Sequence, residues 1–122
     1  MILFLDDDPN RAAITYQRWT ENKRSNTIWC TTVSEAIDVL KNYDISEAYL
    51  DHDLGGQSFI SSEREDSGME VVRYLESLNK ETLEKFENTR FTIHSFNIPA
   101  GAVMTERLQK LGLKAKHVPF GM

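Results

Sequence analysis

Ala48-Tyr49-Leu50-Asp51-His52-Asp53-Leu54-Gly55-Gly56 is an apolar run that ends in an acid, a histidine and a second acid before meeting two glycines. Such a run reads as a buried strand that stops at a turn and presents polar groups at its carboxyl end. Ionisable groups are costly beside a core unless they bind a ligand or one another, so the triplet marks a candidate site. The same shape recurs outward from this stretch. Ile2 to Leu5 runs into Asp6, Asp7 and Asp8, Phe91 to Ile93 runs into His94 and Ser95, and His117 sits in Lys116-His117-Val118-Pro119. All three histidines of the chain therefore fall at or near predicted strand ends.

Between these strands the apolar period changes from two to 3.6. Pro9-Asn10-Arg11 opens a helix with Ala12, Tyr16 and Trp19 on one stripe, and Glu21 to Asn26 reads as a polar connection. Thr27 to Thr31 suits a short strand. Thr32 and Glu35 have the spacing of a capping box ahead of a helix that buries Ala36, Val39, Leu40 and Tyr43. Leu54 to Asp66 is a long polar connection, readable as a lid over the strand ends or as an insertion. Asp66 or Ser67 is placed to cap a helix carrying Val71, Val72, Leu75 and Leu78, and Asn79 to Asn88 has room for one more helical turn. Arg90 to Ser95 is the fourth strand. A last helix enters at Asn97 to Gly101, carries Met104, Leu108 and Leu111 and stops at Gly112, before a fifth strand over Ala115 to Phe120. Five strands alternating with four helices predict right-handed parallel crossovers and an open α/β sheet. Ligands of such sheets sit outside the carboxyl ends of the strands, where the acids and histidines lie.

Length and composition agree with one domain over 1–122: 40% hydrophobic residues supply a single core. A net charge of −5 argues against a surface built for general nucleic-acid binding. Cys30 is the only cysteine, which excludes an internal disulfide. The apolar start is too short for a signal-peptide core and no run spans a bilayer, so a cytoplasmic protein with no membrane partner is expected.

The turn Phe4-Leu5-Asp6-Asp7-Asp8-Pro9 with Arg11, and Asp51 at the end of the central strand, resemble response-regulator receiver domains over nearly the whole chain. The resemblance implies strand order 2-1-3-4-5, Mg²⁺ (or Mn²⁺) held by Asp6 or Asp7, Asp51 and the backbone carbonyl of Asp53, and Ser95 at the hydroxyl position after the fourth strand. Two positions depart from it. Val118 stands where receivers carry a lysine, and no fifth helix follows the last strand in this sequence. Leu50-Asp51-His52-Asp53-Leu54-Gly55 and His94-Ser95-Phe96-Asn97, followed by Pro99, Gly101 and Met104, resemble more narrowly the cyclic-phosphate-processing receiver-like family. That likeness implies an RNA-repair or nucleotide-conflict role and a phosphate-bearing nucleotide or RNA end as partner.

Clustered acids suit a hard cation that shares oxygen ligands with a phosphate. Opening of a cyclic phosphodiester by water needs one group to take the water proton and another to protonate the leaving alkoxide, and His94 and His117 are the candidates, with Asp51, His52 and Ser95 beside them. Strand alternation points His52 away from Asp51 and Asp53 unless the chain is already turning, and it lets only one of His94 and Ser95 face the site. Ser95, Asn97 and Gly101, at the last helix entry, are the candidate phosphate binders. A metal-assisted phosphoesterase is the leading reading. A phosphoaccepting signalling receiver at Asp51 and a non-catalytic nucleotide- or protein-binding module are the alternatives. Without a fifth helix, the face shared with the first helix should leave apolar residues of strands four and five uncovered, which predicts a homodimer unless Trp19, Phe86 or the chain end closes the gap.

Overall fold

The computed structural model describes residues 1–56 and 59–120; Gln57 and Ser58 of the long connection, and the chain end at Met122, lie outside the described residues. Strands β1 (Ile2–Leu5), β2 (Thr27–Cys30), β3 (Glu47–Leu50), β4 (Arg90–Ile93) and β5 (Lys114–His117) form one parallel sheet in the order 2-1-3-4-5, as expected. In register, Leu3, Ala48, Phe91 and Ala115 share one row, and Leu5, Leu50, Ile93 and His117 the next. These rows bury against Val33, Ala36 and Leu40 of helix α3 (Val33–Asn42), Val72 and Leu75 of α4 (Met69–Ser77), and Met104 and Leu108 of α6 (Ile98–Lys110).

Six α-helices are present among the described residues, not four. Besides α1 (Pro9–Arg18), α3, α4 and α6 there are α2 (Glu21–Ser25) and α5 (Lys80–Leu83), the latter followed by a 3₁₀ turn over Glu84–Phe86. Neither short helix buries a residue; α5 falls within the one further turn expected over Asn79 to Asn88, whereas α2 replaces the polar connection expected over Glu21 to Asn26. Their signal is in the caps. Thr20 accepts from the Lys23 amide and Asn79 from the Thr82 amide, each satisfying an N–H that the first turn leaves open.

The opposite face carries Phe4, Tyr49, Thr92 and Lys116 in one row and Ile2, Glu47, Arg90 and Lys114 in the other. The expected apolar surface on strands four and five is absent: Arg90, Lys114 and Lys116 are exposed there, and cations on an edge strand oppose strand addition. Trp19 packs 5.9 Å from the Phe4 ring and 5.0 Å from the Tyr49 ring, with the Lys23 ammonium 4.2 Å above its own ring. Phe86 lies on the other face, against Phe91.

The start of α4 differs from expectation. Neither Asp66 nor Ser67 caps it: Asp66 pairs with Arg64, the Ser67 hydroxyl donates to the Arg64 carbonyl, and the N-cap is Gly68. Gly68 is required by close approach, because a Cβ there would stand 1.8 Å from the Asp51 carbonyl oxygen, while its amide donates to the His52 carbonyl at 2.8 Å. This contact seats α4 on the end of the central strand. Gly68→Ala is expected to destabilise the fold by about 2–3 kcal/mol, the scale of overpacking a filled interior. Urea denaturation with an unchanged m-value and a lowered midpoint is the expected result, and an unchanged midpoint would show that the strand end tolerates displacement.

Candidate active site

Three strand ends bring Asp6, Asp51 and His94 together. Asp6 is fully buried just after β1, Asp51 is 3% exposed just after β3, and His94 is buried just after β4. One ligand atom from each lies within 4.8 Å of the others. The fourth member is Arg11. Asp8 caps α1 through the Asn10 amide, and Pro9 opens the helix, which sets Arg11 in the first turn facing back over the strand ends. Its Nε donates to Asp6 Oδ2 at 2.9 Å and its Nη2 to Asp6 Oδ1 at 2.8 Å and Asp51 Oδ2 at 3.2 Å. The cation between Asp6 and Asp51 in this structure is thus a guanidinium. In the sequence Arg11 reads only as part of a helix opening; its signal as a site residue is its place one helical turn after an acidic strand end.

The two carboxylates are held oppositely. Burial pushes Asp6 up, but hydrogen bonds from His94 and Arg11 prevail and hold it at about 2. Burial also dominates at Asp51, and with fewer direct donors it is pushed up to about 6, the Asp6 charge adding to the rise and His94 and Arg11 opposing it. His94 completes the group: Nε2 lies 2.9 Å from Asp6 Oδ2, the ring stacks on Phe4 at 5.3 Å, and its buried Nδ1 has no hydrogen-bond partner among the described residues.

The remaining candidates form a second layer. The chain is already turning at His52, so this side chain does not point away from Asp53. It is fully buried, with Nδ1 2.7 Å from Asp53 Oδ1 and Nε2 2.9 Å from Ser62 Oγ. Asp53 also accepts from the amides of Phe59 and Ile60 and from the Asn97 side chain, so its carboxylate is committed to the loop, and these donors outweigh burial to hold its pKa low. Asn97 caps α6 through the Ala100 amide, and its own amide donates to Ser95 Oγ. The Gly101 amide is spent on the Asn97 carbonyl. Ser95, Asn97 and Gly101 are thus joined to one another, and Ser95 is 1% exposed. His117 sits apart from the carboxylates: its Nε2 lies 3.1 Å from the Ser95 carbonyl, and the ring occupies the space where a Gly101 Cβ would stand. Asp7 accepts from the Gly56 amide and lies 3.7 Å from Arg11.

A cavity of about 310 Å³ opens over this group, with Asp7, Asp51, Asp53, Arg11 and His94 in its wall and Phe59 and Phe96 beside them. His52, Ser95, Asn97, Gly101 and His117 do not line it. Neither phenylalanine belongs to an apolar period in the sequence, although Phe59, with Ile60, interrupts an otherwise polar connection.

A parallel sheet in this order, with acids of β1 and β3 meeting at its carboxyl edge, defines a receiver domain. The chain belongs to the family described as the cyclic-phosphate processing receiver domain, which it matches over residues 1–110. No curated protein matches it. Among solved structures it is similar to a CheY-like response regulator receiver domain of Methanospirillum hungatei JF-1, at 16% identity and a TM-score of 0.64 over 99% of this chain and 81% of that one. The non-phosphorylated HemR receiver domain of Leptospira biflexa gives 19% identity and a TM-score of 0.63 over 99% and 82%. The response regulator TrrA of Thermotoga maritima, in complex with Mg²⁺-BeF, gives 15% and 0.59 over 97% and 84%. At these identities the likeness establishes the fold.

The opposed carboxylates set the pH response. Asp51 binds its proton more tightly folded than unfolded, so its contribution to stability is complete below about 3.8 and is lost as pH rises through about 6. Asp6 works the other way, its contribution being present above about 3.8 and lost as pH falls toward 2. Asp51→Asn should therefore raise stability at pH 8 by about 2 kcal/mol and flatten the dependence between pH 4 and 7. Thermal melts at pH 5 and pH 8 check this. A variant that melts below the parent at pH 8 would show that Arg11 more than compensates the buried charge.

Proposed function

We propose that this domain is a phosphoesterase acting on a cyclic or terminal nucleotide phosphate, assisted by Mg²⁺ or Mn²⁺. The observation that carries the reading is the meeting of Asp51, Arg11 and His94 in one cavity wall, with the fully buried Asp6 bonded to both Arg11 and His94, in a chain whose family is described by cyclic-phosphate processing. Asp6 and Asp51 fit a divalent ion, because paired carboxylates suit Mg²⁺ or Mn²⁺ and would hold it beside His94. When bound, such an ion supplies Lewis-acid polarisation of a phosphoryl oxygen.

The chain's own residues provide the rest. His94 is oriented by Asp6 through Nε2, which leaves Nδ1 to hold or release a proton. Arg11 carries the positive charge that phosphate oxygens require, and a guanidinium can meet two of them at once. His52 and Asn97 hold Asp53, and with it the loop that forms one side of the cavity. His117 supports the entry of α6.

Hydrolysis of nucleoside 2′,3′-cyclic phosphates and of terminal phosphates, with Mg²⁺, with Mn²⁺ and with chelator, tests the proposal. His94→Ala is expected to lower the rate about a hundredfold or more, the scale for loss of a positioned acid or base, whereas His117→Ala should act mainly on stability. Binding without turnover across the panel would reduce the domain to a nucleotide-binding module.

A signalling receiver is the second reading, favoured by Asp51 standing in the cavity wall at the end of β3. Val118 leaves no lysine at the usual position, and Arg11 supplies a cation from α1 instead. Stoichiometric labelling of Asp51 by acetyl phosphate, detected by mass spectrometry, would select this reading; its absence alongside hydrolysis selects the first.

A further inference from the structure

Phe96 and Phe59 expose 53% and 72% of their surfaces, a costly arrangement for large apolar side chains that could each gain roughly 1.5–3 kcal/mol by burial. Both border the cavity that holds Arg11, Asp51 and His94. Phe96 is held rather than loose. The Phe120 ring meets it edge-on, at 6.2 Å and 84°, and the Arg11 guanidinium carbon lies 6.0 Å from its centroid. The wall of the cavity is rich in carboxylates, with Asp7, Asp51 and Asp53 against Arg11, so a phosphate group by itself gains little there. A ligand that also carries a flat aromatic ring gains a second contact that is indifferent to this charge.

We propose that Phe96 is a stacking platform for the base of a nucleotide whose phosphate lies toward Arg11, with Phe59 bordering the same space. This rests on the nucleotide-phosphate reading of the site and adds to it the side chain that recognises the base, and so separates a nucleoside phosphate from a phosphorylated sugar or peptide. Stacking tolerates any base, since every base has a π face, so the platform selects for the presence of a base and not for its identity. Arg11 is the link between the two contacts, because it touches the ring of Phe96 and the carboxylates beside the phosphate position.

The test compares adenosine 3′-monophosphate with ribose phosphate, by calorimetry in the presence of Mn²⁺, for the native chain, Phe96→Leu and Phe96→Trp. The native chain should prefer the nucleotide. Phe96→Leu, which keeps apolar bulk against Phe120 but removes the π face, should weaken the nucleotide about five- to hundredfold, the scale of one stacked base, and leave ribose phosphate unchanged. Phe96→Trp should retain or strengthen nucleotide binding, and matching melting temperatures would exclude misfolding. Equal affinity of the native chain for both ligands, or equal losses for both in Phe96→Leu, overturns the platform while keeping the phosphate site. Failure of both ligands to bind the native chain overturns the phosphate reading and the platform with it.

Discussion

Two buried carboxylates do not stay ionised side by side without a cation between them, and the meeting of Asp6 with Asp51 rests on Arg11 to supply it. The parallel register makes the encounter unavoidable: β1 and β3 pair through Leu5 and Leu50, so the next residue of each strand emerges at the same edge. Because Arg11 is only five residues past Asp6, the first turn of α1 must fold directly over that edge. The caps at Asp8 and Pro9 ensure that it does. The same guanidinium touches the ring of Phe96 across the cavity, so the charge arrangement and the cavity rim are coupled through one side chain.

Around this centre a second set of contacts is built on Asp53. Its carboxylate gathers the His52 ring, the amides of Phe59 and Ile60 and the Asn97 side chain. His52 continues to Ser62, whose carbonyl takes Arg73 of α4. The long connection is therefore tied to the end of β3, to α4 and to the entry of α6. Two histidines with similar sequence surroundings thus do different work. His94 faces the cavity with one nitrogen unpartnered among the described residues, whereas both nitrogens of His52 are taken.

The sheet is covered unequally. Its core face is mostly aliphatic, with Phe86 and Phe91 among the apolar residues, and is closed by α3, α4 and α6, while the other face relies on aromatic packing of Phe4, Tyr49, Tyr16 and Trp19 and turns cationic toward β5. That gradient keeps the edge solvated and leaves the carboxyl ends of the strands as the place where polar chemistry concentrates.

Much of this was determined by sequence alone. Apolar runs ending in acids or histidines mark four of the five strands, and the 3.6-residue stripes mark the four helices that pack on the sheet, because burial imposes those periods wherever a segment meets a core. The short helix α2 escaped, since a helix that buries nothing leaves only its cap as a signal, whereas α5 falls in the one further helical turn expected over Asn79 to Asn88. Only the tertiary structure decided which polar groups share a wall. Alternation and spacing do not say that the chain turns at His52 early enough to engage Asp53, or that Gly101 makes room for the His117 ring at the base of α6. Nor do they say that Arg11 reaches across two strands to the place where a metal ion was expected. Those outcomes depend on distances between residues up to 88 positions apart, as for Asp6 and His94, and such distances are set by strand register and helix seating rather than by any local pattern.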